Sequence, residues 1–581
     1  MKIKSISLST LLIAANLASA VEYVDLTPTK DFSQTNAWVD IQYIRNGTNA
    51  TQSGQYWVDS EGNAVLPSEN NNLVIKANTD LSSTGISSGI EWRAEYKDNP
   101  LTTINNITYD LSLGGNNTGF YIIEAYDMSL DIKGDFNINL EKKNVTKEWG
   151  FATFFINIGG EKRRDPENAT TNKRGNTYHI YGDMNVKNND IVDSDDTIIG
   201  GYQNGISLSI KASSNVKKNA DGSYVYQYVQ QNTSFIVDGD LNLIKNELDT
   251  ASNNTARSQR MTLTTNVKTF TVGGVINWDN NPIVPAGKSE WENYDSWDMK
   301  NAIDSTCYAE GETFDSDINI GGLQSRAMLT ITEQTNDDKH AVNLNFTNKK
   351  GVNTTWEGRF EDASSHKFNV SMDATAEGRQ TMIFNYRSKN SKFTEESKAY
   401  IIDKLTISGG EFAFKNCVEL IDYLRKGTNT ECAIGELIIN GGKFIPLEAG
   451  AKVAEATFEK GGILVDTDEM LAGINQLEVE GNLKKDGNGK IEIDFAEFNA
   501  TDFADTEDYF SILSANSKSS NFSENANDDF VGINLNGAAA NFSWIDNNLM
   551  VNFTTAVPEP ATVAGIAGLL ALAFAAYRRR N

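Results

Sequence analysis

Side chains able to do acid–base or metal chemistry are few in this sequence and lie far apart. The chain contains three histidines, His179, His340 and His366, with no His-Glu-x-x-His segment and no adjacent cysteine pair. Those patterns are the ones that hold zinc and related metals. The sequence therefore predicts no transition-metal site and no cofactor.

Acidic residues leave calcium as a weaker alternative. Asp193, Asp195 and Asp196 form the densest acidic group, which offers oxygen ligands for Ca²⁺ or carboxylates for cleaving a polysaccharide. A solvated loop is the usual role of such a run. Residues 486–494 also resemble a calcium loop, but Lys484 would be its first ligand, so a turn between strands is the better interpretation. We assign no catalytic residue and no metal ligand.

The net charge limits the classes of partner that the chain is expected to bind. The chain carries 78 acidic residues against 51 Lys and Arg, a formal charge of −27. Binding to nucleic acid needs clustered cations that neutralise phosphates. The composition predicts no nucleic-acid partner and suits a soluble extracellular protein.

Three cysteines cannot build a disulfide framework. Cys417 and Cys432 bracket an amphipathic stretch, and a disulfide between them would stabilise an exported protein by about 3 kcal/mol. Two buried free thiols are the alternative. Cys307 is left over in either case.

The C-terminal segment combines three features in a fixed order. A Pro-Glu-Pro motif comes first, formed by Pro558, Glu559 and Pro560. An uncharged apolar stretch follows over residues 561–577, and the basic terminus consists of Arg578, Arg579 and Arg580. A helix as long as the apolar stretch spans roughly 25 Å, enough to cross a hydrocarbon core. The arginines favour a cytoplasmic C-terminus. The segment therefore predicts a transmembrane helix over 561–577.

This order of features resembles the PEP-CTERM sorting signal, and the resemblance covers residues 557–581. It implies that an exosortase-type membrane protease reads the motif and that its residues act in recognition. It also implies an association with exopolysaccharide and biofilm matrix. An ordinary single-pass C-terminal anchor is the alternative interpretation.

The N-terminus predicts export as well. A short basic region precedes the apolar residues 8–17, and Ala18 and Ala20 fit the small-x-small site cut by signal peptidase. Residues 1–20 are therefore interpreted as a signal peptide. Both ends together predict a protein of a Gram-negative bacterium that passes through the inner membrane to the cell surface or extracellular matrix.

The intervening sequence must position any functional side chain, and it is repetitive. Apolar residues alternate, a Gly-Asp or Gly-Gly pair follows, and alternation resumes; copies occur at 130–136, 178–184, 235–241, 270–274, 318–322, 405–410, 437–442, 458–462 and 477–481. Alternation predicts strands buried on one face, and glycine is expected to supply positive φ at a sharp corner. Near the end of the series Gly409, Gly441, Gly461 and Gly481 follow at intervals of 32, 20 and 20 residues. Such spacing suits one coil of a parallel β-solenoid.

We therefore predict an all-β chain built as a right-handed parallel β-solenoid (β-helix), with tandem antiparallel β-sandwiches as the alternative. The predicted divisions are an N-terminal β-rich region at 21–125, the repetitive body at 126–495 and a C-terminal β cap at 496–556. The sorting signal follows at 557–581.

Three functions are compatible with the sequence. The preferred one is a non-catalytic structural or adhesive protein of the cell surface or matrix, with exopolysaccharide as a partner. A polysaccharide lyase or hydrolase is the second, and exposed aromatic and acidic side chains grouped on one face would favour it. A permanently membrane-anchored surface protein is the third.

Overall fold

A computed structural model of the chain describes residues 23–555, with internal gaps, and also residues 568–572 and 578. The residues outside this description are 1–22, 30–36, 47–48, 55–56, 80–85, 95–100, 115–118, 127–128, 144–148, 160–176, 189–202, 213, 219–223, 229–232, 246–258, 279–294, 301–314, 333–340, 363–366, 388–399, 417–432, 448–450, 497, 500–502, 507, 556–567, 573–577 and 579–581.

Strands dominate the described residues, and the prediction of an all-β chain is confirmed. The first strands are β1 Val24–Pro28, β2 Ala37–Asn46, β3 Asn49–Gly54, β4 Trp57–Val58, β5 Ala64–Val65, β6 Asn71–Thr79, β7 Ile86–Ala94, β8 Leu101–Ile104, β9 Asn106–Gly114, β10 Gly119–Tyr126, β11 Ser129–Ile132, β12 Phe136–Lys143 and β13 Trp149–Gly159. The middle strands are β14 Thr177–Ile180, β15 Met184–Asn188, β16 Gln203–Ala212, β17 Ser214–Lys218, β18 Tyr224–Tyr228, β19 Ser234–Val237, β20 Leu241–Lys245, β21 Gln259–Asn266, β22 Thr269–Val272, β23 Ile276–Trp278, β24 Ser296–Lys300, β25 Ser316–Ile320, β26 Leu323–Gln324, β27 Met328–Thr332 and β28 Ala341–Phe346.

The remaining strands are β29 Asn353–Asp362, β30 Lys367–Met372, β31 Arg379–Arg387, β32 Ile402–Ile407, β33 Glu411–Asn416, β34 Ile434–Pro446, β35 Ala451–Leu464, β36 Leu477–Lys485, β37 Ile491–Asp494, β38 Phe510–Lys518, β39 Phe530–Ile533, β40 Ala538–Ile545 and β41 Asn548–Thr555. Two short helices, α1 Thr467–Leu471 and α2 Ala526–Asp529, interrupt them.

Most strands pair in parallel, in three ladders. Ladder A contains β1, β6, β9, β12, β15, β20, β23 and β26, and a bridge from Ser325 to Trp356 leads on to β29, β31, β33, β34, β35, β37 and β39. Ladder B contains β2, β7, β10, β13, β16, β21, β24, β27 and the end of β29. Ladder C contains β8, β11, β14, β19, β22, β25, β28, β30, β32, β34, β35, β36 and β38.

The chain enters the three ladders in a regular order. From β6 to β28 successive strands fall in A, B and C in turn, apart from the separate antiparallel hairpin β17–β18. The ladders run through residue 126, so residues 24–125 and the repetitive segment after them contribute to the same sheets.

Antiparallel strands adjoin the first strands of ladders A and B and the last strand of ladder C. At the start β3 pairs with β2, and β4 pairs with β1 and β5. At the finish β41 pairs with β38 and β40, and we call residues 510–555 the C-terminal cap. Phe498 and Phe503, which precede the cap, contact each other and the cap residues Phe510 and Phe553, with ring centroids 5.6 to 5.9 Å apart.

The core lies between the ladders because alternate residues point inward. Strands β14, β19 and β22 each show the same alternation of half-buried and buried residues. Parallel register places Tyr178 beside Phe235 and Phe235 beside Phe270, with ring centroids 5.5 and 5.8 Å apart. Stacked rings of this kind bury large apolar areas and favour one register over its neighbours.

Candidate functional site

The Gly-Asp pairs form corners between ladders C and A. Each aspartate accepts a hydrogen bond from the main-chain N–H of the equivalent residue one repeat later. The N···Oδ1 distances are 2.9 Å from Asp183 to Asp135, 2.8 Å from Asp240 to Asp183 and 2.7 Å from Val275 to Asp240. Charge-assisted bonds of this kind align one repeat on the next.

The glycines of these corners have a different role from the one predicted. A Cβ added to Gly182 or Gly239 would overlap the carboxylate of the preceding repeat, Asp135 or Asp183. Neither glycine has positive φ, so that expectation was wrong for them: glycine is needed here for space. Positive φ does occur at later corners, at Gly410, Gly441 and Gly461, with values of 57°, 135° and 87°.

Asparagines form a second set of contacts between repeats. On ladder A, Asn185, Asn242 and Asn277 each donate a side-chain hydrogen bond to the asparagine before them, starting at Asn137, with distances of 2.9, 2.9 and 3.0 Å. Ladder C carries two shorter rows, formed by Asp317, Asn343 and Asn369 and by Asn319, Asn345 and Ser371. These outward polar groups therefore bond one strand to the next.

One group of titratable side chains stands apart from these rows. His179 and Tyr181 stack with ring centroids 3.9 Å apart, and the Lys133 Nζ lies 3.7 Å from the Tyr181 centroid. The Tyr181 hydroxyl donates to Asp131 at 3.2 Å, and His179 Nε2 lies 3.0 Å from Asp238 Oδ1. This cluster, which we call the His179 cluster, draws its residues from three successive strands of ladder C and from the bends that directly follow them.

The electrostatics of this cluster favour a charged lysine. Desolvation alone would lower the pKa of Lys133, but hydrogen bonds and charges from Tyr181 and Asp131 raise it by more. The pKa of Lys133 therefore lies above its ordinary value. A lysine held cationic beside a tyrosine and a histidine can neutralise an acidic group of a substrate.

A groove of about 720 Å³ crosses the outer surface of ladder C further along the chain. Its floor is made of small residues, Gly435, Ala454 and Gly481, from three successive strands. Tyr400 lies at one side, and a Cβ on Gly435 would come within 2.7 Å of its ring. A Cβ on Gly435 would also lie 2.6 Å from the Asp403 carbonyl oxygen, so this glycine is covered and allows the Tyr400 ring to pack against the main chain. The volume of the groove is within the range of small-ligand sites, about 300–1,000 Å³.

Charged residues line the groove. Glu436 pairs with Lys404 at 3.3 Å, and Glu455, beside Glu436 on the adjacent strand, pairs with Lys484 at 2.7 Å. Glu480 follows on the next strand.

Several sequence-predicted residues cannot be placed. The following lie outside the described residues: Ala18, Ala20, Asp193, Asp195, Asp196, Cys307, His340, His366, Cys417, Cys432, Pro558, Glu559, Pro560, Arg579 and Arg580. Of the predicted transmembrane segment, residues 568–572 are described and are helical, with Leu569, Leu570 and Leu572 exposed. Within the described parts of the chain no helix has the length and apolar character to cross a membrane. In the same parts no group of three or more His, Cys, Asp and Glu side chains is arranged to hold a metal ion.

The groove was missed by sequence reasoning, although a weak signal for it exists. A small residue stands beside a glutamate in three successive repeats: Gly435 beside Glu436, Ala454 beside Glu455, and Gly481 beside Glu480. Unequal spacing concealed this pattern, because the intervals do not show which residues become neighbours. Residues 486–490, in contrast, form the expected turn between β36 and β37.

Comparison with protein-family models, with curated proteins and with solved structures finds no match to this chain.

Proposed function

We propose that the protein is a non-catalytic adhesive scaffold of a bacterial cell surface or extracellular matrix, and that its three ladders are the faces of a right-handed parallel β-solenoid. The cyclic order in which strands enter ladders A, B and C supports the solenoid. Resemblance of residues 557–581 to a sorting signal supports export and processing by an exosortase-type protease.

The observation that carries the adhesive function is the use of outward polar side chains. The Asn137–Asn277 row and the aspartates of the corners bond repeat to repeat along the stack. Such a surface stabilises an extended body, and the groove adds a place for ligand contact on it.

The test mixes the mature protein with the exopolysaccharide of the producing organism and follows both by size-exclusion chromatography with light scattering. Co-elution at unchanged polymer mass is the expected result. A steadily falling polymer mass would refute a non-catalytic role. Separate elution across a range of salt concentrations would refute polymer attachment.

A carbohydrate-active enzyme is the second candidate, and the His179 cluster is the observation that favours it. A histidine, a tyrosine and a cationic lysine within contact distance are groups able to move a proton in a lyase reaction. The specific test is polymer depolymerisation by wild type, His179→Ala and Tyr181→Phe. Activity that both substitutions abolish would establish the enzyme, whereas activity that survives both would place it elsewhere.

A further inference from the structure

The groove crosses five successive strands of ladder C: β30, β32, β34, β35 and β36. Adjacent strands lie about 4.8 Å apart, so the groove extends roughly 19 Å along the stack. A site of that length and shape accommodates an extended chain better than a compact metabolite. Ala454 and Gly481 are small and only half-buried, so they leave room for such a chain beside the Tyr400 ring, which covers Gly435.

The groove contains more acceptors than cations. Lys404 and Lys484 are already paired, with Glu436 and Glu455, and the Asp403 carboxylate accepts from the Phe368 N–H at 2.8 Å. Among the residues that the structure describes, the Glu480 carboxylate forms no ion pair and is half-buried at the edge of the floor. The lining contains more acidic than basic residues. Its four carboxylates belong to Asp403, Glu436, Glu455 and Glu480, and its two lysines are Lys367 and Lys404. A polyanion such as a uronic acid polymer is therefore disfavoured in the groove.

We infer that this groove binds an extended glycan that carries free amino groups, with neutral glycans as weaker ligands. The inference rests on the proposed function and names the ligand class of its attachment site. Tyr400 presents a ring that Gly435 leaves room for, and an aromatic face stacks on the C–H face of a sugar ring. Carboxylates accept hydrogen bonds from hydroxyl groups, and the unpaired Glu480 carboxylate binds an ammonium group.

The experiment measures binding of three hexasaccharides to the mature protein by isothermal titration calorimetry: glucosamine, glucose and galacturonate oligomers. The expected order is glucosamine, then glucose, with no binding of galacturonate. Raising the salt concentration reduces the advantage of the glucosamine oligomer.

Three variants locate the site. Tyr400→Ala weakens binding of the glucose and glucosamine oligomers by about tenfold. Ala454→Phe fills the floor and abolishes binding, while Glu480→Gln removes the preference for glucosamine and leaves glucose binding nearly unchanged. Matched controls are Tyr509→Ala and Glu524→Gln, which change exposed residues near the C-terminal cap. Circular dichroism confirms that each variant is folded.

The experiments distinguish a wrong assignment of the groove as the binding site from a wrong assignment of the scaffold function. If Ala454→Phe retains co-elution with exopolysaccharide and full oligosaccharide affinity, the groove assignment is wrong and attachment occurs elsewhere. Preference for galacturonate, or absence of oligosaccharide binding by the wild type, overturns the ligand class. If the wild type elutes apart from exopolysaccharide as well, the proposed function falls.

Discussion

Gly239→Ala tests whether the Gly-Asp corners hold the repeats in register. The added Cβ would overlap Asp183 Oδ1 and lie 2.7 Å from the Gly182 carbonyl oxygen. The carboxylate must move, which breaks its 2.8 Å hydrogen bond from the Asp240 N–H. Losing a hydrogen bond to a charged group costs about 1.5–3 kcal/mol. Relieving the contact with the carbonyl by a backbone shift costs about 1–3 kcal/mol.

We therefore expect Gly239→Ala to lower the free energy of unfolding by about 2.5–6 kcal/mol. Urea unfolding of the protein, followed by far-UV circular dichroism, measures this change. Hydrogen exchange at Asp240 shows whether the loss is local, since repeat arrays need not unfold in one step. Gly489→Ala is the matched control, because the nearest atom to its Cβ would be the Glu459 carbonyl oxygen at 4.0 Å. The control should change stability by less than about 0.5 kcal/mol.

A double-mutant cycle separates the carboxylate from the carbonyl. In an Asp183→Ala background the first clash is absent, so Gly239→Ala should cost less there by about 1.5–3 kcal/mol. The reasoning is refuted if Gly239→Ala is as stable as wild type, or if its cost is the same in both backgrounds.

The other predictions concern buried charge, acid stability and the asparagine row. Lys485 and Asp529 form an ion pair at 2.5 Å with side chains 8% and 4% exposed, so Lys485→Met should cost about 3–5 kcal/mol in urea unfolding. Lys485→Met with Asp529→Leu should recover most of that loss, and an equal loss in both variants would contradict it. Burial alone would raise the pKa of Asp494, but hydrogen bonds from Lys443 and two neighbouring N–H groups outweigh it and lower the pKa. A carboxyl group whose pKa is lower in the folded state stabilises the fold at pH values above its unfolded pKa, about 3.9. This contribution disappears as the pH falls through the folded pKa. Thermal melting from pH 6 to about pH 3 should therefore show a smaller loss of stability for Asp494→Asn than for wild type; parallel losses would count against it. Asn242→Ala breaks two side-chain bonds of the row on ladder A and should cost about 1–2 kcal/mol in urea unfolding, and no measurable change would show that the row adds nothing to stability.

Local pattern made the strands predictable. Segments 178–184 and 235–241 each become two strands joined at a Gly-Asp corner, because alternation and glycine are local properties of the sequence. Register could not be read in the same way. Asp135 and Asp183 are 48 residues apart and Asp183 and Asp240 are 57, so only stacking in three dimensions reveals that they are equivalent.

The candidate sites were even less predictable. Tyr400 and Glu480 are brought to one groove by three intervening strands of ladder C, and His179 meets Asp238 only through the pairing of β14 with β19. His179 lies on β14, and its stacking on Tyr181 follows from the bend after that strand, which no local pattern in the sequence indicates. The sequence gives the residue types and their spacing along the chain, whereas the composition of a site depends on which repeats become neighbours in the folded structure.

The C-terminal cap has a mechanical consequence. Bonds between successive strands of a ladder point along the stack, so strands pulled from an end separate from it one at a time. At the finish of the ladders β41 pairs antiparallel with two strands, and Phe498, Phe503, Phe510 and Phe553 pack against one another. The cap must yield before the last parallel strands can be drawn out. Under tension applied between the two ends of the chain, these contacts resist the release of the last strands, and the number of strands behind them sets how far the chain can extend once they break.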